Sequence, residues 1–411
     1  MGGELASGST LSTVPLAKLI TRIEAGRSPL AEGRAAAPGQ WGVLKVSAVR
    51  HGRFDPDENK AISDPVLVRP EFEVRHGDLL LSRANTEDLV GLACVVRNPR
   101  PRLMLSDKTL RLHVDESLAT ADFIELVLGS REIRSRMQVA ATGTSGSMKN
   151  LSQGQIRRLP VPHLPITEQR CIVDAISAVD RNIEALERQF AKMSEVRLAV
   201  IQHELNRIDE VERLPLAAVT EPIVAGVTLG PHRAPRNRPA PYLRVANVHS
   251  GRIDMSDLQY VETQNGDRPR YEVRSGDGLV VEGHANPEQI GRCAIVGGRE
   301  SGVLYQNHLF RLRFRQVNPG FAGLWLNSPA VRSYWRSRCA TSSGLFTINS
   351  RQLGEVPFPA VSVDQQDRIL TAVTKVDRNL EALGLRVAKL RTIRQALAED
   401  LLTGRVRVTD L

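Results

Sequence analysis

Side chains that can hydrogen-bond to nucleic-acid bases follow several predicted strands of this sequence. Arg83 and Asn85 come at the end of one predicted strand, and His284 and Asn286 fall at the point that we interpret as equivalent in a second set of strands. An arginine can bind guanine through two hydrogen bonds in the DNA major groove, and an asparagine can bind adenine in the same way. The alternative is a turn with its side chains in water, and both interpretations stay open.

Other basic and polar residues belong to the same candidate set. Arg233, Arg236 and Arg238 lie in a Gly/Pro-rich arm and are candidates for phosphate contacts, although such a run of charge is usually a solvated surface. Two loops of small residues, at 142–149 and 341–347, are predicted to be flexible and to offer backbone amides to phosphate. The remaining candidates for DNA contact are Lys45, Lys108, Ser145, Ser147, Lys149, Arg244, Asn307, His308 and Ser343.

The overall charge agrees with a polyanionic partner. The 411 residues include 55 Lys and Arg against 46 Asp and Glu, which gives a formal net charge of +9. Most of the positive charge is arginine, the side chain whose planar fork matches phosphate and guanine. A basic soluble enzyme without a nucleic-acid partner is the alternative that charge alone leaves open.

Composition excludes several classes of protein. With 41% hydrophobic and 25% charged residues, the chain is neither collagen-like nor wholly disordered. No apolar run is long enough to span a bilayer, and no signal-peptide pattern precedes the first strand. Four scattered cysteines predict free thiols rather than disulfides. We therefore expect a cytoplasmic protein without a membrane partner.

A search for catalytic motifs finds none. The sequence lacks the (Asn/Asp)-Pro-Pro-aromatic loop of amino-methyltransferases, a phosphate-binding G-x-x-x-x-G-K-[ST] loop and a dinucleotide-binding G-x-G-x-x-G loop. Its histidines show no H-x-H or H-E-x-x-H pairing, and the acidic residues of the segment 55–60 are too crowded for a metal site. We expect no catalytic residue, metal or cofactor in this chain.

The strongest internal signal is a long repeat. The segment Val-Asp-Arg-Asn-Ile-Glu-Ala-Leu at 179–186 recurs with one change at 376–383, which is 197 residues further on. Upstream, Val-Arg-His-Gly-Asp at 74–78 matches Val-Arg-Ser-Gly-Asp at 273–277. A period this long is that of a duplicated domain, not of a solenoid.

Each copy is predicted to be a mixed α/β globular domain followed by one long helix. The predicted domains are globular domain 1 at 1–160, a long spacer helix at 161–208, globular domain 2 at 209–358, and a second long spacer helix with a C-terminal tail at 359–411. Short β-branched runs predict the strands of each globular domain. These runs are 41–49, 78–83, 91–96 and 110–114 in the first copy, and 242–248, 278–282, 291–296 and 309–314 in the second. One helical stretch follows in each copy, at 121–137 and 321–338.

The two long helices carry apolar residues at alternating spacings of four and three. This is a heptad seam, interrupted at Arg197 in the first copy and at the equivalent Arg394 in the second. The matching seams predict that the helices pack on each other as an antiparallel coiled coil; the alternative is that each helix covers its own domain. A helix of about 40 residues is about 60 Å long. Such an arrangement predicts a bipartite DNA site whose spacer length the helices set.

These residues resemble a known family. The run Pro160-x-Pro162-x-x-Pro165-x-x-Glu168-Gln169, the two repeated helix motifs and the ending Leu-Leu-Thr-Gly-Arg-Val-Arg-Val at 401–408 resemble the specificity (S) subunits of Type I restriction–modification systems. The resemblance covers nearly all of the chain. The second copy departs from it, because Ser362 replaces the last proline and Gln365 replaces the glutamate.

The resemblance implies a non-catalytic subunit of a phage-defence complex. Each globular domain would be a target-recognition domain that reads one half of a split double-stranded DNA sequence. The helices would bind two methyltransferase (M) subunits that use S-adenosylmethionine to methylate adenine at N6. Restriction (R) subunits, which use ATP and Mg, belong to many such complexes, and their presence here stays open, as do the target sequence and the spacer length. The alternatives are a stand-alone enzyme with an unrecognised site and a coiled-coil DNA-binding scaffold of a related defence complex.

Overall fold

The chain divides into two compact units that share both long helices. A computed structural model describes residues 11–145, 148–338 and 346–408. Unit 1 comprises Met1–Arg188 and Gly384–Leu411, and unit 2 comprises Gln189–Leu383. The predicted long helices are confirmed at Ile166–Asn206 and Val363–Thr403. Each unit therefore contains one globular part and a segment of each long helix.

Unit 1 is a mixed α/β fold built from short strands. The strands are β1 (Thr13–Pro15), β2 (Ile20–Ala25), β3 (Gly42–Leu44), β4 (Val49–Arg50), β5 (Arg53–Phe54), β6 (Asn59–Ala61), β7 (Leu79–Ser82), β8 (Ala84–Asn85), β9 (Ala93–Val95), β10 (Leu103–Met104), β11 (Thr109–Val114), β12 (Thr142–Ser145), β13 (Met148–Asn150) and β14 (Pro160–Pro162). The helices are α1 (Ala121–Gly129), α2 (Arg131–Ala140), α3 (Gln153–Arg157) and the first long helix, α4 (Ile166–Asn206). The central antiparallel sheet has the order β2-β11-β7-β9, and smaller sheets have the orders β10-β3-β6 and β12-β13-β8.

The core of unit 1 lies between the central sheet and the helices. The strand β7 is buried along its whole length, and Phe123 and Val127 of α1 pack in the same apolar cluster as Leu79 and Leu81 of this strand. Ile172 and Ile176 of α4 join this cluster. The first turns of the long helix are therefore part of the domain core.

Unit 2 repeats this plan. Its strands are β15 (Arg213–Pro215), β16 (Val224–Ala225), β17 (Pro239–Leu243), β18 (Val248–His249), β19 (Arg252–Ile253), β20 (Gln259–Glu262), β21 (Gly278–Val281), β22 (Gly283–His284), β23 (Cys293–Ile295), β24 (Leu304–Tyr305), β25 (Leu309–Leu312), β26 (Phe346–Thr347) and β27 (Pro357–Pro359). Its helices are α5 (Asp267–Tyr271), α6 (Pro319–Leu326), α7 (Pro329–Arg338), α8 (Ser350–Gly354) and the second long helix, α9 (Val363–Thr403). The sheet β16-β25-β21-β23 has the strand order of the central sheet in unit 1.

The two predicted helical stretches are confirmed, and each is broken into two helices, a break that the sequence did not predict. In unit 1 the break falls between Gly129 and Arg131, where the Ser130 hydroxyl accepts a hydrogen bond from the Ile133 N–H at 3.4 Å and so caps α2. In unit 2 the Ser328 hydroxyl accepts from the Val331 N–H at 3.4 Å. A serine at this position offers the backbone an N-cap, which starts a new helix in a new direction.

Two predicted strands are shorter than expected. The run 41–49 forms β3 over Gly42–Leu44 and then a 3-10 turn over Val46–Ala48, and a separate strand, β4, begins at Val49. The run 242–248 likewise ends as a strand at Leu243 and continues as a 3-10 turn over Val245–Asn247. The turn in unit 2 is held by the Asn247 side chain, whose Oδ1 accepts from the Arg244 N–H at 2.9 Å. Apolar patterning marks burial but does not show such turns.

The small-residue segment 142–149 was predicted to be a flexible loop, and its described part instead forms the strands β12 and β13. Thr142 pairs with Asn150, and β13 also pairs with β8, where Lys149 lies opposite Asn85. Glycine and threonine at this point therefore build a hairpin on the sheet. Most of the matching segment 341–347 lies outside the described residues.

Segments of the two long helices run antiparallel within unit 1. Ion pairs join α4 to the end of α9 and its tail at Glu168–Arg407, Asp180–Arg394 and Glu187–Arg391. The residue numbers rise along one segment while they fall along the other. Within unit 1 the helix segments therefore pack on each other and on the domain core.

Within unit 2 the corresponding segments are also joined. Arg197 of α4 forms a two-point ion pair with Asp377 of α9, in which Nη2 lies 3.4 Å from Oδ2. Leu205 and Ile369, one from each helix, pack in the same apolar cluster of the domain. Both ends of α9 are capped: Ser362 Oγ accepts from the Gln365 N–H at 3.3 Å, and Gly404 after the last turn has a φ of 79°.

Candidate nucleic-acid interface

Three chain segments of unit 1 meet where the buried strand β7 ends. The Arg83 N–H donates to the Lys108 carbonyl oxygen at 3.0 Å, and the Arg83 carbonyl oxygen accepts from the Leu151 N–H at 2.9 Å. Asn85 follows in β8, opposite Lys149. We call Arg83, Asn85, Lys108 and Lys149 corner 1.

The same frame recurs in unit 2 where β21 ends. The Glu282 N–H donates to the His308 carbonyl oxygen at 3.0 Å, and the Glu282 carbonyl oxygen accepts from the Ile348 N–H at 2.9 Å. His284 follows in β22, opposite Phe346. We call Glu282, His284 and His308 corner 2.

This hydrogen bonding corrects the alignment of the two copies. The counterpart of Arg83 is Glu282, and the counterpart of Asn85 is His284, so the predicted pairing with His284 and Asn286 was wrong by two residues. The repeat distance is not constant along the chain, because loops of different length separate the strands. Glu282 was missed as a candidate for this reason, although its position directly after a buried strand was a usable signal.

The side chains of corner 1 form a basic surface. Arg83 is half-buried and Lys108 is exposed, and neither makes a hydrogen bond or ion pair with a described residue through its side chain. Lys149 Nζ lies 3.5 Å from the Gly143 carbonyl oxygen, and Asn85 Oδ1 accepts from the Thr86 N–H at 2.9 Å. The Arg83 and Lys108 cations can therefore bind an anion or a base acceptor without first breaking a contact.

Corner 2 has a different chemical character. His308 Nδ1 lies 2.6 Å from Glu282 Oε2, and the two side chains are 55% and 28% exposed. The predicted candidates beside them are engaged locally: His284 Nδ1 accepts from the Asn286 N–H at 3.0 Å, and Asn286 Oδ1 accepts from the Glu288 N–H at 2.9 Å. Asn307 donates its N–H to the Val227 carbonyl oxygen at 3.0 Å. Corner 2 thus combines a carboxylate with an exposed imidazole.

The three arginines of the second arm differ from one another. The Arg233 side chain is 11% exposed and pairs with the buried Asp267, with Nη2 at 3.2 Å from Oδ1. Burial alone would raise the pKa of Asp267, but hydrogen bonds from Arg233 and from the Gln264 N–H outweigh it and lower that pKa. Arg233 therefore holds the fold of the arm, and we remove it from the proposed DNA contacts.

Arg236 and Arg238 are exposed on a loop that one carboxylate fixes. Glu262 accepts the N–H groups of Arg236 and Arg238 at 2.8 Å each and that of Asn237 at 3.0 Å. The pKa of Glu262 is lowered, chiefly by the hydrogen bond from the Arg236 N–H. Both guanidinium groups extend from a fixed backbone, which suits phosphate contacts, and Arg238 Nη1 also donates to Asn265 Oδ1 at 3.3 Å.

The remaining candidates lie in ion pairs or outside the described side chains. Lys45 Nζ lies 3.6 Å from Glu58 Oε2, and Arg244 Nη2 lies 2.6 Å from Asp257 Oδ2. Ser147 and Ser343 lie outside the described residues, as does the side chain of Ser145. Lys45 and Arg244 therefore contribute first to the fold of their own units.

Two curated proteins match part of the sequence. No family model matches the sequence. The chain is 30% identical over 188 residues to the Type I restriction enzyme EcoEI specificity subunit of Escherichia coli, a match that covers 45% of this chain and 32% of that protein. It is 18% identical over 259 residues to the EcoKI specificity subunit of Escherichia coli strain K12, covering 59% of this chain and 55% of that protein. The matches thus span about a third and about half of these relatives.

The chain is related to the specificity subunits of type I restriction enzymes. The predicted resemblance is thereby confirmed.

Solved structures of specificity subunits share the fold along nearly the whole chain. A chain from a study of complex assembly and conformational transition in the type I restriction–modification system matches with a TM-score of 0.63 at 15% identity, covering 97% of this chain and 98% of that one. The S subunit from M. genitalium matches with a TM-score of 0.53 at 16% identity, covering 97% and 98%. The HsdS subunit from Thermoanaerobacter tengcongensis matches with a TM-score of 0.52 at 15% identity, covering 98% and 99%.

The part of the chain that the structure describes contains no cluster of three metal-binding side chains. It also contains no helix that is long and apolar enough to cross a membrane. Burial raises the pKa of both the Cys94 and the Cys293 thiols to about 12. Neither thiol is a nucleophile at neutral pH, since the thiolate is the reactive form.

Proposed function

We propose that this chain is the non-catalytic specificity subunit of a type I restriction–modification complex. It reads a bipartite sequence in double-stranded DNA, with one half-site for the globular part of each unit. The relation to curated specificity subunits supports the class of protein.

One observation carries this proposal most directly. The two corners have the same backbone hydrogen bonds, yet their side chains differ in charge and in hydrogen-bonding groups. A duplicated enzyme site would keep the same reactive side chains in each copy. A duplicated reader of two different half-sites needs a constant frame and variable side chains, since base identity is read by side-chain donors and acceptors.

The long helices supply the second part of the proposal. Cross-helix ion pairs join α4 and α9 within each unit, and each helix has 41 residues. We propose that the two helices lie antiparallel as a coiled coil and act as a ruler, so that their length sets the spacer between the half-sites.

Catalysis belongs to the partners in this proposal. Two M subunits, carrying S-adenosylmethionine, methylate adenine at N6 on the DNA that this chain selects, and R subunits with ATP and Mg can join the complex in the cytoplasm. The names of the curated relatives support an assembly of this type, because they are specificity subunits of restriction enzymes. The alternative is a coiled-coil DNA-binding scaffold of a related defence complex.

Methyl transfer by purified components tests the proposal. The chain alone, its M partner alone and the two together are incubated with labelled S-adenosylmethionine and genomic DNA. We expect transfer to adenine in a sequence-specific pattern only when both are present. Transfer by the chain alone would show an enzyme, and sequence-independent transfer by the complex would favour the scaffold.

A further inference from the structure

Corner 2 has the geometry of a hydrogen-bond acceptor that is held in place. His308 Nδ1 binds Glu282 Oε2 at 2.6 Å, while Glu282 Oε1 has no hydrogen-bond partner among the described residues. The backbone N–H and C=O of Glu282 are both bonded, to His308 and Ile348. Hydrogen bonds thus hold both the backbone of Glu282 and one of its carboxylate oxygens, and the other oxygen stays available.

An open cleft lies beside Glu282 and His308. The cleft is lined by Glu282 and His308 together with Val245, Thr347 and Ile348. Asn349 and Gln352 also line it, but they bind each other's backbone N–H groups in a capping box and so have fewer groups to offer. Glu282 Oε1, the second imidazole nitrogen of His308 and the Thr347 hydroxyl are the groups through which the cleft can bind a polar partner.

Corner 1 has the opposite electrostatic character at the same points of the frame. Arg83 replaces Glu282 and Lys108 replaces His308, and neither cation has an ion-pair partner among the described residues. A base edge that suits one corner therefore does not suit the other. Guanine presents two acceptors to the major groove and cytosine presents an amino donor.

We propose that Arg83 and Glu282 are equivalent specificity-determining residues, one for each half-site. Arg83 donates to the O6 and N7 acceptors of a guanine in the half-site of unit 1. Glu282 accepts from the N4 amino group of a cytosine in the half-site of unit 2, with His308 as a positioning residue that orients the carboxylate. This inference rests on the proposed function.

The test is the methylation motif of single variants. The full chain and its M partner are expressed together in cells, and N6-methyladenine is mapped by single-molecule sequencing for the wild type, Glu282→Gln and Arg83→Gln. An amide has one acceptor oxygen, so it cannot accept hydrogen bonds from both His308 and the cytosine amino group. Glu282→Gln should therefore reduce discrimination at one C·G pair of one half-site about tenfold or more. Arg83→Gln should do the same at a G·C pair of the other half-site. The spacer and the unaltered half-site should not change.

Glu272→Gln is the matched control for unit 2. Glu272 directly follows α5 and forms an ion pair with Arg268 of that helix at 3.1 Å. It lies before the first residue of β21, whereas Glu282 follows the last, so its loss should leave the motif unchanged. Each variant should still recognise the half-site of its unaltered unit, and that recognition shows that the protein is folded. Should Glu282→Gln unfold, which its loss of methylation and its thermal melting would show, Arg83→Gln decides the claim in unit 1.

A gain-of-function variant gives the sharper result. The double variant Glu282→Arg with His308→Lys places the two cations of corner 1 at the equivalent positions of corner 2. The cytosine that the wild type requires in the half-site of unit 2 should then be replaced by a guanine in the methylated motif. An unchanged motif in all three variants would overturn the inference and leave the proposed function intact. A wild-type chain that directs no bipartite methylation would instead refute the proposed function.

Discussion

Asp180 and Arg394 face each other across the two long helices of unit 1, with Nε at 3.0 Å from Oδ1 and Nη2 at 3.2 Å from Oδ2. In unit 2 the same pair recurs with the helices exchanged, as Asp377 of α9 and Arg197 of α4. Each residue lies 197 positions from its counterpart. The arginines that interrupt the heptad seams are therefore not defects, because each binds the aspartate of the other repeat.

Charge reversal should reveal this coupling. Arg394→Asp or Asp180→Arg alone places like charges opposite each other, and we expect each to lower the free energy of unfolding by about 1 kcal/mol, since both side chains are partly exposed. The double variant restores opposite charges and should recover most of the loss. Urea unfolding of the full chain measures the cycle.

The control for this cycle is Arg188→Asp. Arg188 pairs only with Glu184 of its own helix among the described residues, at 3.7 Å and in water, so reversal there should give no recovery with any change in α9. If the loss of unfolding free energy in the double variant equals the sum of the losses in Asp180→Arg and Arg394→Asp, the cross-helix pair contributes nothing to stability.

Arg236→Ala and Arg238→Ala should weaken DNA binding without affecting the fold. Each removes one exposed guanidinium from the loop that Glu262 holds. If each contacts one phosphate, the slope of log K against log salt should fall in magnitude by about 0.9 per variant, equally for target and random DNA. Fluorescence anisotropy of the complex with M subunits, over a salt series, measures this slope.

Arg233→Ala is the informative contrast in the same arm. It leaves Asp267 buried without its partner and should lower the free energy of unfolding by about 3 kcal/mol. A stable Arg233→Ala variant whose salt slope is reduced would return Arg233 to the set of DNA contacts.

His51 should make unit 1 sensitive to mild acid. Its ring lies against Gly129, where an added Cβ would come within 2.7 Å of Cε1. Burial lowers the pKa of His51 from its ordinary value of 6.5, and Arg394 and Arg134 lower it further. As the pH falls below about 6.5, His51 becomes protonated in the unfolded chain before it does so in the folded chain. The free energy of unfolding therefore decreases.

Unfolding at pH 7.5 and pH 5.5 checks this expectation. The wild type should be less stable at the lower pH, and His51→Gln should lose part of that difference. His163→Gln is the control, because His163 is exposed. An identical loss of stability in the wild type and in His51→Gln would refute the role of His51.

The sequence predicted the repeated and periodic features of the molecule well. The heptad spacing located both long helices, because a sustained 3.5-residue period is typical of long helices that pack along one another. It did not show the break at Ser130, since a serine within a helical pattern becomes a cap only where the core turns the chain. It also did not show the hairpin of β12 and β13, whose small residues are typical of loops.

The candidate site was harder to predict for a physical reason. Whether Arg233 faces DNA or Asp267 depends on a residue 34 positions away, which sequence spacing does not reveal. The same holds for Arg244 and Asp257, which are joined across a turn. Glu282 became visible only when the backbone hydrogen bonds fixed the alignment of the corners.

The ruler is tested most directly by shortening both helices. Removal of residues 186–192 and 383–389 takes one heptad from equivalent points of α4 and α9 and shortens each by about 10 Å. At about 3.4 Å per base pair, the spacer of the methylated motif should shorten by up to about 3 base pairs. Replacement of both segments by helix-forming sequence of equal length is the control and should keep the spacer.

Single-molecule sequencing of N6-methyladenine in cells that express each variant with the M subunit gives the result. Our account predicts the same two half-sites at a shorter separation. The same two half-sites at the wild-type separation would contradict it.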